Sequence, residues 1–143
     1  MKRLFSFGMI LFTLAAFSTQ VQYAQANDEN TVKSTLKNLL EFSKTKAYNK
    51  AANLIAYEGD DKNRTHKDSF NPANKEELNQ VKRICKKITA LLELSSKYEF
   101  GEFRSASEGV YTVQVTFISG EQKLATTFNF EKTGKGFLLV SMN

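Results

Sequence analysis

After Ser95-Ser96 the apolar residues change from helical spacing to every second position, and no other feature constrains the fold as strongly. Tyr111, Val113, Val115 and Phe117 alternate with Thr112, Gln114 and Thr116. Leu124, Thr126, Phe128 and Phe130 alternate with Lys123, Ala125, Thr127 and Asn129. A period of two belongs to a strand with one buried and one wet face. The sequence therefore predicts four strands: Tyr98 to Arg104, Val110 to Ile118, Lys123 to Glu131 and Gly136 to Met142. Ser119-Gly120 and Thr133-Gly134-Lys135-Gly136 supply the hairpin turns of a meander.

Upstream the period is helical. Thr31 to Lys46 places Val32, Leu36, Leu39, Leu40 and Ser43 on one face, with Asn30 as the expected cap. A second helix is predicted over Tyr48 to Tyr57, packing through Ala51, Ala52, Leu54 and Ile55. Glu58 to Asp68 has no aliphatic side chain and reads as a long loop, with Phe70 pinning its far end. Asn74 followed by Glu77 resembles a capping box, with Glu77 reaching back to the cap. From there Leu78, Val81, Ile84, Cys85, Ile88, Leu91 and Leu92 mark the strongest helix. Three helices followed by a four-stranded antiparallel sheet make an α+β domain.

The first 26 residues are set aside from this fold. Met1-Lys2-Arg3 is basic, Leu4 to Phe17 is almost wholly apolar, and Ala24-Gln25-Ala26 offers a small-x-small site before Asn27. That order describes a secretory signal peptide, and the apolar run is shorter than the ~20 residues a spanning helix needs. The expectation is a periplasmic or secreted domain over 27–143, with no transmembrane segment after cleavage. Lys2 and Arg3 account for two of the five excess positive charges. The lone Cys85 cannot form an internal disulfide and, lying on an apolar helical face, reads as a buried free thiol.

Tyr48, Ala51 and Leu54, in the run Ala47-Tyr48-Asn49-Lys50-Ala51-Ala52-Asn53-Leu54 after the first helix, carry a resemblance. Their Tyr-x-x-Ala-x-x-Leu spacing, followed by loop, helix and meander, resembles the nuclear transport factor 2-like superfamily, closest to its small exported bacterial members of unknown function. A cystatin-like sheet is the alternative. The resemblance implies a cone whose curved sheet wraps the helices, often around a pocket, with dimers common. It implies no single activity, since members include isomerases, dehydratases, ligand carriers and protein-binding modules.

Candidate chemistry is thin. One cysteine and one histidine supply no metal cluster, and no cofactor motif is present. Catalytic Asp, His or Tyr residues of enzymes with this fold sit inside the cone. The inner positions here offer Tyr111 and Thr126 among apolar residues, with no carboxylate and no histidine. The expectation is a non-catalytic domain that binds a small apolar ligand or an envelope protein. Its site is placed where Tyr57, His66, Tyr98, Tyr111 and Thr126 could converge. The alternative is an isomerase- or dehydratase-type enzyme with His66 or a loop carboxylate as base. Lys82, Arg83, Lys86 and Lys87, with Lys44, Lys46 and Lys50, form a basic set. Without a reader motif or exposed aromatics it does not read as a nucleic-acid site; anionic lipid or envelope polysaccharide fits it better, against the plain reading of a solvated helix face. The threonine-rich outer face of the sheet is a possible homodimer surface.

Overall fold

The structure, a computed structural model, describes residues 8–64 and 68–143, with side-chain surroundings from residue 22 onward. His66 lies outside the described residues. Contacts divide the chain into two units, with the boundary between Thr31 and Val32. Helix α1 is Gly8–Lys44, α2 is Tyr48–Ala52 and α3 is Lys75–Glu93. The strands are β1 (Lys97–Ser107), β2 (Val110–Ser119), β3 (Gln122–Thr133) and β4 (Gly136–Met142).

The first unit contributes the opening part of α1. Residues 22–27 are exposed, Tyr23 most of all at 79%. The helix begins well before Thr31 because neither Pro nor Gly interrupts the chain after Gly8, so Asn30 sits within the helix instead of capping it. Among the described residues no helix is long and apolar enough to cross a membrane.

In the second unit, α1 buries Val32, Leu36, Leu39 and Leu40 and ends in a Schellman turn. There Ala47 N–H donates to the Phe42 carbonyl (2.8 Å) and Lys46 N–H to that of Ser43 (3.2 Å). Lys46 takes φ 58°, a conformation usually left to glycine. Helix α2 is shorter than the predicted Tyr48 to Tyr57, because the chain opens at Asn53 to serve the sheet. Leu139 N–H donates to the Leu54 carbonyl and Ala56 N–H to the Leu139 carbonyl, each at 2.8 Å. Ile55 thus bridges Leu139 in parallel, and Ala56 bridges Ser69. Those bonds satisfy backbone groups at the outer edge of β4, a gain that an extra helical turn would forfeit.

Helix α3 starts where expected. Asn74 Oδ1 accepts from the backbone N–H of Glu76 (2.9 Å) and Glu77 (3.2 Å). Glu77 does not reach back to the cap, however; its Oε2 accepts from Asn71 N–H at 2.7 Å.

The sheet is a pure antiparallel meander in the order β1-β2-β3-β4. Val113, Val115, Phe128, Phe130 and Leu139 join Leu36, Leu39, Val81, Cys85 and Ile88 in one core cluster. Burying one such phenylalanine contributes roughly 1.5–3 kcal/mol. The β2–β3 register is unbroken, whereas β1 slips against β2 between Phe100 and Phe103 and again between Ser105 and Ser107. Each slip bends the outermost strand and breaks its regular edge.

Candidate functional site

Tyr98, Phe117 and Leu124 are direct cross-strand partners, forming one row across β1, β2 and β3. Phe117 is buried, but Leu124 is 55% exposed and Tyr98 37% exposed. The inner face of the sheet therefore stays apolar beyond the point where the helices cover it. Leu94, just past the last turn of α3, is 76% exposed beside the same row.

Two open lobes flank the end of α3 and meet at Ser95, which lines both. One, about 590 Å³, lies between Leu91, Leu94, Phe117 and Leu124. The other, about 570 Å³, has Leu40, Leu92 and Tyr98 at its apolar floor and Lys37, Glu41 and Glu93 on its rim. Ser95 Oγ donates to the Leu91 carbonyl (2.8 Å), and Ser96 N–H donates to the Ile118 carbonyl (2.8 Å). These bonds stop the helix and fasten the chain to β2, which fixes the cleft between them. Lys37 Nζ lies 5.6 Å from the Phe100 ring centroid, and Lys97 pairs with Glu99 at 2.8 Å. The arrangement offers an apolar floor with charges of both signs at its rim, the usual form of a small-ligand site.

The other candidate residues lie elsewhere. Tyr111 pairs with Ser105 and Phe130, six positions along β2 from Phe117, which is roughly 20 Å in a strand. It is buried, stacked on Phe103 at 5.5 Å and edge-on to Phe137 at 5.4 Å. Thr126 is buried between the two ends, opposite Val115. Of the four described residues expected to converge, Tyr98 alone lines the cleft, and Tyr111 and Thr126 are packed into the core.

Tyr57 belongs to a second arrangement that the sequence reading missed. The Arg64 guanidinium lies over its ring, 3.3 Å from the centroid, and Phe70 meets it edge-on at 5.4 Å. Arg64 Nη2 pairs with Glu77 Oε2 at 3.1 Å and also donates to the Ser69 carbonyl. Its Nε and Nη1 are buried without a hydrogen-bond partner among the described residues, and the ring face beneath offers the charge an aromatic surface. The long loop is thus clamped to α3 by a buried ion pair. A signal for this existed: Glu77 stands four residues before Val81 on the apolar stripe of α3, where a carboxylate needs a cation. An open depression of about 770 Å³ runs beside the clamp, lined by Tyr57, Gly59, Asp60, Asp61, Lys62 and Arg64.

Two titrating groups report on these surroundings. Partial burial pushes Asp68 up, but hydrogen bonding and attraction from Lys135, with backbone N–H groups, outweigh it and hold the carboxyl below its ordinary value. Burial pushes the Cys85 thiol up, only partly offset by a hydrogen bond with Ser43. Among the described residues no group of His, Cys, Asp and Glu could hold a metal ion.

A solved structure from Campylobacter jejuni, provisionally named an NTF2-like transpeptidase, aligns with a TM-score of 0.50 over 78% of this chain and 98% of its own, at 9% identity. The chain has a nuclear transport factor 2-like fold. A designed protein of the same fold is 12% identical over 80% of this chain and 96% of its own, but its TM-score of 0.47 adds no weight. No protein-family profile matches the chain, and no curated protein matches it. The cystatin-like alternative has no support. Nuclear transport factor 2-like domains include enzymes and non-enzymes, so the fold by itself selects neither.

Proposed function

We propose that this chain is an exported, non-catalytic binding domain that takes an apolar ligand in the cleft at the end of α3. The observation that supports it is the row Tyr98–Phe117–Leu124, which continues the apolar inner face of the sheet out from under the helices. Exposed large apolar side chains gathered at one concave place are a sign of binding, whereas scattered ones are not. Export rests on the basic start, apolar run and Ala24-Gln25-Ala26 site of the sequence.

The name of the Campylobacter jejuni protein speaks of transpeptidation, but at 9% identity only the fold carries across. In this chain the lone thiol, Cys85, is fully buried with its ionisation suppressed, which is the reverse of an activated nucleophile. The competing reading, an acid–base enzyme, draws on Asp60 and Asp61 beside Tyr57 in the open depression.

Native mass spectrometry of protein purified from the exporting cell's envelope tests the reading, alongside titration with the neutral apolar dye Nile red. A retained small mass and saturable dye binding, both lost in Leu124→Glu, are expected. Bare protein that binds no dye overturns the cleft. A substrate whose turnover disappears in His66→Ala, with the fold intact, establishes the enzyme instead.

A further inference from the structure

Two segments that pack on one another carry cations and no carboxylate. Residues 42–57, which close α1 and form α2, hold Lys44, Lys46 and Lys50. Residues 78–92 of α3 hold Lys82, Arg83, Lys86 and Lys87. The whole chain has 20 basic against 15 acidic residues, so this is segregation of charge and not a general excess. Carboxylates stop at Glu41 and Glu77 and resume only at Glu58 and Glu93.

The fold makes one surface of them. Thr89 Oγ1 donates to the Ser43 carbonyl at 3.1 Å, joining α3 to the end of α1. Lys82 Nζ stands 5.9 Å from the ring centroid of Tyr48, at the start of α2. Every one of these cations is exposed except the half-buried Lys82. None of them is in an ion pair among the described residues. Lys46 itself occupies the left-handed position of the turn that closes α1, at φ 58°.

We propose that this face docks on an anionic lipid surface. Its charges are almost all lysine, compact ammonium groups suited to a diffuse negative layer and lacking the bidentate fit of arginine to single phosphates. Nucleic acid is a poorer fit, because the rings among these lysines, Phe42 and Tyr48, are half-buried beneath Lys50 and Lys82 and offer no stacking platform. Lys44 also lines the lobe floored by Leu40, Leu92 and Tyr98, but Lys50, Arg83 and Lys86 lie outside both lobes, so the face can be altered without touching the cleft.

The test is co-sedimentation of the full chain with vesicles of phosphatidylcholine alone and with about a quarter phosphatidylglycerol added. The readout is the ratio of the two partition coefficients. The basic start Met1-Lys2-Arg3 and the apolar stretch Leu4 to Phe17 are common to every variant, so the comparison between variants isolates the charged face. The wild type should favour anionic vesicles, with the preference declining as salt rises. Combining Lys50→Glu, Arg83→Glu and Lys86→Glu should lower the ratio by at least roughly tenfold. The milder Lys50→Gln, Arg83→Gln and Lys86→Gln set should fall between. Reversing Lys62, Arg104 and Lys135 to Glu makes the same change in net charge elsewhere and should alter the ratio less than about twofold. Equal losses in the two reversed sets overturn the proposal, because net charge alone would then explain binding. A wild-type ratio near one overturns it outright. Tighter binding to soluble dextran sulfate than to anionic vesicles, lost in the same patch variant, replaces lipid with a polyanionic polysaccharide.

Discussion

Arg64 and Glu77 meet at 3.1 Å with side chains only 3% and 5% exposed, so the loop before α3 is tied to the helix by an ion pair withdrawn from water. Breaking such a pair from one side leaves a buried charge without its partner, at a cost of about 3–5 kcal/mol. Glu77→Ala should therefore lower the unfolding free energy by about 3 kcal/mol in urea titrations. The double change Arg64→Met with Glu77→Leu should recover much of that loss. Equal destabilisation by the single and double changes would contradict this account.

The Asp68–Lys135 contact at 3.2 Å ties the same loop to the β3–β4 turn and should respond to acid. Asp68 has its carboxyl held below the ordinary value in the folded state. Its contribution is thus complete above the unfolded aspartate value, about 3.9, and is lost as pH falls through the lower folded value. Stability of Asp68→Asn should match the wild type at very low pH and fall below it near neutrality. Urea midpoints measured across that range check the sign.

Cys85 has no exposed surface, and burial raises its pKa. Maleimide labelling of the native protein should be slow, increasing with denaturant in step with global unfolding. Rapid labelling in the absence of denaturant would show that α3 opens locally.

Two residues on the inner side of β3 separate binding from folding. Phe128 is fully buried and Leu124 is 55% exposed. Phe128→Ala should cost about 3–5 kcal/mol, while Leu124→Ala should stay within about 0.5 kcal/mol. Thermal melts of the two variants distinguish a core position from a cleft position.

Lys46→Gly should raise stability by about 1 kcal/mol, since glycine adopts a positive φ without the side-chain clash. A urea midpoint that does not increase would show that the Lys46 side chain makes compensating contacts.

The sheet was the most legible part of the chain. The alternation from Tyr111 to Phe130 predicted its strands and its buried face, and β4 begins and ends at the residues expected. The long helix was equally plain, because Val81, Cys85 and Ile88 repeat at its period and are all buried. Where α3 stops covering the sheet was not legible: Leu124 and Phe128 look alike in sequence, and helix length and tilt decide which one is covered. The role of Arg64 was hidden for a related reason. Surrounded by Asp60, Asp61 and Asp68 it resembles any solvated loop cation, and only the folded chain brings it to Glu77. Ile55 looked helical because backbone bonds to a strand more than eighty residues away leave no mark on local periodicity.

That remote pairing sets the order in which the molecule can be completed. Leu139 receives the Leu54–Ala56 segment along an edge that does not exist until the last strand has been synthesised and paired with β3. The amino-terminal helices can form early, but their short connecting segment has no permanent seat until Leu139 is available. A chain arrested after Ser119 would retain hairpin β1–β2 and unsatisfied core surface, and the cooperative fold would be absent. Completion of this fold therefore waits on β4, the strand farthest in sequence from the segment it seats.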